Sequence, residues 1–185
     1  METTFTNSIT KILHGRSIFL IGMMASGKSK TGPLLASYLN YKFVDTDSFI
    51  EKLSKKSINR IFSDDGENKF RQLESKCLQE IIRYPSLVVS TGGGLITKKE
   101  NWGILRQGIV VWIDVDKEVL LARLDSEKDK RPLLNIKDLR NSYTNIFNSR
   151  KSLYSQADIR VKVLNENVDE VVSKILDEIK KKVNN

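Results

Sequence analysis

Short apolar runs alternate along the chain with segments of helical periodicity, and this alternation limits the fold more than any other feature of the sequence. The runs Ser17–Ile21, Phe43–Val44, Leu87–Ser90, Ile109–Ile113 and Ile159–Val163 read as strands, most of them continuous in Val, Ile and Leu. Helical patterns follow at Gly27–Leu39, from about Asp47, from Lys98, from Asp116, and from about Val168 to Lys180. Strands without a polar face must be covered on both sides, and strands separated by helices pair in parallel. The pattern therefore predicts an α/β protein with about five parallel strands. Ligands of such sheets bind beyond the carboxyl ends of the strands, so the residues just after each run carry the chemistry. Two segments break the rhythm. Residues 57–84 are polar and helical in pattern with no strand, which predicts an inserted substructure, and residues 125–137, DSEKDKRPLLNIK, read as a flap.

A chain of 185 residues with 39% hydrophobic residues is long enough for one domain with a core of its own. Its longest apolar stretch, Ile18 to Ala25, is far short of the roughly 20 residues a membrane helix needs. The start METTFTNSITK has neither the basic nor the apolar segment of a secretory leader, so a soluble cytoplasmic protein is expected. A single cysteine, Cys77, excludes an internal disulfide and reads as a buried apolar side chain. His14 has no second histidine to pair with and reads as a surface residue. The 31 Lys and Arg against 23 Asp and Glu leave a net charge of +8, which suits nucleic acid or a small polyanion such as a nucleotide. These charges are dispersed. The one basic block, Lys180–Lys182, complements the dipole at the end of the last helix.

Gly22-Met23-Met24-Ala25-Ser26-Gly27-Lys28-Ser29 fits G-x-x-x-x-G-K-[ST] between an apolar strand and a helix. The glycines let the backbone turn close to a phosphate, while the loop N–H groups and the helix N-terminus supply a concave positive field. Lys28 then reaches the β- and γ-phosphates, and the Ser29 hydroxyl becomes a Mg²⁺ ligand. Two local features stand against the pattern. Pro33 lies beyond the first helical turn, where a kink is expected. Ala25 carries a methyl, which a tight loop tolerates only if φ is negative.

The phosphate loop does not say which phosphate chemistry follows. A regulatory GTPase would need Asn-Lys-x-Asp, and the one Asn-Lys pair, Asn68-Lys69, continues Phe70-Arg71. Asp114 and Asp116 end an apolar run as a motor's Mg²⁺-associated acid would, but capping of the next helix is their plainer role. Asp45-Thr46-Asp47 is the better acidic pair, with one carboxylate for Mg²⁺ and one for an acceptor hydroxyl; spacing leaves helix capping by Thr46 or Asp47 equally open. Gly92-Gly93-Gly94 follows a buried run, as if to set backbone N–H groups against a ligand.

Taken together, GMMASGKSKTGPLLA, FVDTDSFIE, GENKFRQLE, VVSTGGG, RPLL and NSRKSLYSQAD resemble the shikimate kinase family over nearly the whole chain. The resemblance implies a nucleoside-monophosphate-kinase-like α/β/α sandwich with a five-stranded parallel sheet in the order 2-3-1-4-5. It also implies a helical substrate-binding subdomain over about 46–84 and a lid over about 125–137. The implied reaction transfers the γ-phosphoryl group of ATP to the 3-hydroxyl of shikimate, in aromatic amino acid biosynthesis. On the same footing, Gly22, Met23, Met24, Ala25, Ser26, Gly27, Lys28, Ser29 and Lys30 resemble the nucleotide-binding residues. Ser29 and Asp45 resemble the Mg²⁺ site, and Asp47 the residue that binds the acceptor hydroxyls and takes the proton. Arg71 and Arg150 resemble the carboxylate pair, Gly92, Gly93 and Gly94 the ring contacts, and Arg131 the catalytic lid arginine. Arg123, at the lid's entrance, is the candidate for the adenine. Two arginines around one acid independently suit an anionic, hydroxylated acceptor. Lys30 replaces a small hydroxyl residue and is expected to face outward. The expected partners are shikimate and ATP, without nucleic acid or membrane, and a monomer is expected. The alternatives are another small-metabolite kinase on the same scaffold, acting on gluconate or a nucleoside monophosphate, and a nucleic-acid-binding ATPase drawn by the net charge.

Overall fold

A computed structural model of the chain describes residues 9–125 and 138–184. Its sheet holds β1 (Ile18–Ile21), β2 (Lys42–Asp45), β3 (Leu87–Ser90), β4 (Ile109–Val115) and β5 (Ile159–Val163), ordered β2-β3-β1-β4-β5. Every pairing is parallel, with Ile18 of the central strand opposite Val88 on one side and Ile109 on the other. Both the parallel sheet and its order agree with expectation. The continuous apolar runs are explained by burial, because β1 and β3 are buried at every position. Edge strand β5 alternates instead, with Arg160 and Lys162 exposed between buried Ile159, Val161 and Val163.

The helices are α1 (Lys28–Leu39), α2 (Thr46–Ser54), α3 (Ile58–Ile81), α4 (Lys99–Leu105), α5 (Lys117–Asp125), α6 (Leu139–Tyr154) and α7 (Val168–Asn184). On one face α1 packs beside α7, α1 lying against β2 and β3 and α7 against β5. On the other, Tyr154 of α6 stacks on Trp112 of β4 with ring centroids 5.7 Å apart. Pro33 lies inside α1 without ending it. The expected helix from about Asp47 begins at Thr46 and is capped by Asp45, whose Oδ1 accepts from the Asp47 and Ser48 amides at 3.0 and 3.2 Å. Neither Thr46 nor Asp47 is the cap. Asp116 does cap its helix, accepting from Glu118 N at 2.9 Å, whereas Asp114 pairs with Arg160 on the neighbouring strand. Helix α6 had no counterpart in the pattern of the sequence, and it delivers two residues of the site. The expected insert is α3, whose backbone leaves helical values at Gly66 (φ 79°, ψ 169°). Among the described residues, no helix is long and apolar enough to cross a membrane.

Candidate active site

The loop after β1 wraps back on itself around Lys28, whose Nζ donates to Gly22 O at 3.0 Å, Met23 O at 2.8 Å and Ser26 Oγ at 3.2 Å. Gly22 cannot carry a side chain, because a Cβ there would stand 2.6 Å from the Ile113 carbonyl oxygen of the adjoining strand. Ala25 corrects the sequence expectation: its φ is +59°, in the left-handed region, not negative. A methyl in that region is strained, and Gly27, two residues on, also has positive φ (91°) but without a side chain. Lys30 is exposed, as expected, although it borders the cavity.

That cavity measures about 470 Å³ and runs from the loop, with Lys28, Ser29 and Arg123, to Glu166, Asn167, Val168 and Val171 beyond β5. Arg123 Nη1 donates to Ala25 O at 3.4 Å, which sets it against the phosphate loop. The far wall, Glu166 to Val171, was not singled out in the sequence. Its shape is fixed by a capping box, Glu170 N donating to Asn167 Oδ1 at 3.0 Å and Asn167 N to Glu170 Oε2 at 2.8 Å. The Asn-x-x-Glu spacing was the available signal.

Ser29 Oγ donates to Asp45 Oδ2 at 2.6 Å and lies 3.3 Å from Ser90 Oγ. A carboxylate and an alcohol side by side at the phosphate end form a hard-oxygen donor set. Mg²⁺ takes one or two such protein oxygens and completes its shell with phosphate and water, so these residues fit it. Among the described residues no cluster of three or more His, Cys, Asp and Glu could hold a metal without such help.

A second cavity, about 320 Å³, adjoins the first, and Met24, Asp47 and Gly93 line both. Its walls include Arg71 and Glu74 of α3, Arg150 of α6, the three glycines, and the rings of Phe62 and Phe70, whose centroids lie 4.8 Å apart. The two arginines that the sequence separates by 79 positions thus meet in one pocket, each 7% exposed. Arg71 donates to Glu67 through Nε (3.1 Å) and Nη2 (2.8 Å) and to Glu74 through Nη1 (2.6 Å). Burial works against its charge, but Glu74 and Glu67 outweigh that and raise its pKa. Arg150 Nη1 donates to Gly93 O at 3.2 Å, where Tyr154 Oη also donates at 2.8 Å.

In the glycine triplet one backbone donor is already engaged. Gly92 N donates to Thr46 Oγ1 at 2.9 Å, so that amide is committed to the protein. The triplet also supplies room. The guanidinium of Arg71 lies across Gly94 where a Cβ would stand, and the carboxylates of Glu74 and Asp47 crowd the same point on Gly92. Gly93 is tight in a milder way, with Gly22 O 3.4 Å from the corresponding point.

Glu74 is fully buried, and burial lifts its pKa to about 7, partly countered by Arg71 and reinforced by Asp47. Sequence reasoning missed it, although its position three residues after Arg71 on one helix was a legible sign. Nearby Cys77 is buried, and burial pushes its thiol up to about 12, in keeping with an inert side chain. Arg131 and the expected lid, apart from Asp125, lie outside the described residues.

Comparison with known proteins gives concordant results. The family profile described as Shikimate kinase matches residues 24–180. A shikimate kinase of Prochlorococcus marinus (strain NATL2A) is 51% identical over 167 residues, covering 90% of this chain and 84% of that one. The solved shikimate kinase of Acinetobacter baumannii in complex with shikimate superposes with a TM-score of 0.88 at 31% identity, covering 94% and 97% of the two chains. That of Aquifex aeolicus gives 0.78 at 39% identity, covering 89% and 96%.

Proposed function

The chain belongs to the shikimate kinase family, and from that premise we infer how its residues transfer the γ-phosphoryl group of ATP to the 3-hydroxyl of shikimate. The observation that carries the assignment of roles is the meeting of two cavities at Asp47: a phosphate loop borders one, and two arginines border the other.

ATP lies along the larger cavity, with its phosphates on residues 22–30 and its base toward Glu166–Val171. Lys28 supplies positive charge to the β- and γ-phosphates, and its short tether to the loop carbonyls keeps that charge fixed before the nucleotide arrives. Ser29 and Asp45 would hold Mg²⁺, which when bound neutralises phosphate charge. Shikimate lies in the smaller cavity, its carboxylate forked by Arg71 and Arg150 and its ring against Gly92, Gly93 and Gly94. Asp47, on the shared wall, accepts the hydrogen bond of the attacking hydroxyl, orients it and takes its proton. Arg131 would complete the charge on the transferring group from the lid over about 125–137, and α2 with α3, about 46–84, forms the acid-binding subdomain. A lid that excludes water keeps the phosphoryl group from hydrolysis.

The protein is further proposed to act as a cytoplasmic monomer, with neither nucleic acid nor membrane as partner. The dispersal of its positive charges supports the exclusion of nucleic acid. Coupled ADP release against shikimate, quinate, gluconate and nucleoside monophosphates tests the function. Turnover is expected with shikimate alone, and an equal rate with gluconate would overturn the reading in favour of a gluconate kinase.

A further inference from the structure

Glu74 is fully buried, and its two oxygens have unequal surroundings. Oε2 accepts from Arg71 Nη1 at 2.6 Å, while Oε1 accepts no hydrogen bond among the described residues. Oε1 is aimed at the bare Cα of Gly92, and the point where a Cβ would stand there is also 2.9 Å from Asp47 Oδ1. The two carboxylates therefore converge on one spot with no donor between them.

The charges around this spot come from every neighbouring element. Helix α3 gives Arg71 and Glu67, α2 gives Asp47 at its start and Glu51, which also takes the Ile58 amide, β2 gives Asp45 at its end, and α6 gives Arg150. The glycine turn gives only backbone. Tyr154 and Cys77, the other ionisable groups nearby, stay neutral, since burial holds each up to about 12. Asp45 is taken up by Ser29 and the α2 amides. Glu67 and Glu74 both draw on Arg71, which is already divided between them, and Arg150 acts on Glu74 from the facing helix.

A substrate carboxylate seated on these arginines adds a further negative charge beside Glu67 and Glu74 and competes with them for Arg71. The group that can give way is the one fully buried and half unsatisfied. We propose that Glu74 takes up a proton from solvent when the substrate's carboxylate binds Arg71 and Arg150, so that the enzyme binds the shikimate anion together with H⁺. The new O–H forms on Oε1 and donates toward Asp47 Oδ1, while Oε2 remains as a carbonyl acceptor for Arg71. Glu74 acts here as a positioning residue: once neutral it holds Arg71 by a weaker, uncharged acceptor, which leaves the arginine's charge to the ligand and the charge of Asp47 for the hydroxyl. Its pKa of about 7 before the ligand arrives makes such uptake visible near neutral pH.

This inference rests on the assignment of Arg71 and Arg150 to the shikimate carboxylate. The test is isothermal titration of the whole enzyme with shikimate, without nucleotide, in buffers of low and high ionisation enthalpy from pH 6.5 to 8.5. The wild type is expected to take up a fraction of a proton at pH 7, rising toward one at pH 8.5, with Kd weakening toward tenfold per pH unit at the alkaline end. Glu74→Gln should abolish both the uptake and the pH dependence of Kd. Heats independent of buffer in the wild type, or uptake that persists in E74Q, would overturn the proposal. Failure to bind shikimate at all would overturn the functional reading instead. Should E74Q not fold, the infrared difference spectrum of wild-type protein labelled with [13C]glutamate decides: a protonated glutamic carboxyl band appears on adding shikimate, or its absence refutes the idea.

Discussion

Around Gly22–Ser29 the site is made of backbone and one lysine, all within eight consecutive residues, whereas around Gly92–Gly94 it is made of side chains brought in from α2, α3 and α6. The phosphate side has its own donors and folds back on itself: Lys28 bonds the loop atoms of Gly22, Met23 and Ser26. On the acid side Arg71 has local partners in Glu67 and Glu74 of its own helix, but Arg150 bonds Gly93 from a different element, and Arg71, Glu74 and Asp47 all need the space that Gly92 and Gly94 leave. A site for a common, highly charged group can be a short motif. A site that recognises one particular acid needs the tertiary fold.

Lys28→Ala is the most severe test of the contrast. Removal of a fixed charge beside the transferring phosphoryl should lower kcat by at least about 10²–10³-fold, while shikimate binding measured by titration stays within a few-fold of normal. If shikimate affinity falls as steeply, the two sides are not separable. Gly94→Ala attacks the other side. Its methyl would occupy the place of the Arg71 guanidinium, so the arginine must leave its bonds to Glu67 and Glu74. Loss of one charge-assisted clamp is expected to raise the KM for shikimate by about 10–100-fold, with the KM for ATP unchanged. An unaltered shikimate KM would show that the triplet serves some other purpose than room for Arg71.

The same contrast explains how much could be read in advance. The strands β1, β3 and β4 declared themselves because strands buried on both faces read as near-continuous apolar runs. The phosphate loop was legible because its geometry is local. Helix α6 was not, since its buried residues are few and polar in type: Tyr143, Arg150 and Tyr154. Arg150 was reached through family resemblance, not through periodicity. The triplet was recognised as special, but its partners were invisible, because a glycine reports that space is needed and not what fills it. Asp45 was placed correctly beside Ser29 but was also the helix cap, and a residue two positions from its target amide serves either role without altering the spacing.

The buried acid makes the comparison measurable as stability. Glu74 has a folded pKa above its unfolded value of 4.5, so between these the native state binds more protons than the unfolded chain, and stability falls as pH rises from about 4.5 to about 7. The full shift corresponds to at most about 3 kcal/mol, reached above pH 7. Surface carboxylates titrate across the same range, so the difference between wild type and E74Q is the informative quantity. Urea unfolding of both at pH 5 and pH 7.5 should show the variant gaining on the wild type at the higher pH. A difference that does not change with pH would mean that Glu74 stays ionised throughout and that Arg71 fully compensates its burial.

The smallest expected effect lies on the phosphate side, where the backbone carries strain that the sequence pattern did not lead one to expect. Ala25 holds φ at +59°. A left-handed alanine costs roughly 1–2 kcal/mol over glycine in the folded loop, while glycine costs up to about 1 kcal/mol through the entropy of the unfolded chain. The first term is the larger, so Ala25→Gly should stabilise the protein by about 0.5 kcal/mol, a rise in Tm of roughly 1–2 °C. It should leave the KM for shikimate untouched, because Ala25 borders only the larger cavity. A fall in Tm of similar size would mean that the loop relaxes toward negative φ in solution, and the pre-set phosphate cradle would then have to form on the nucleotide. The stability change therefore decides whether the phosphate side is rigid before binding, as its dense internal hydrogen bonds imply, or shares with the acid side a dependence on its ligand.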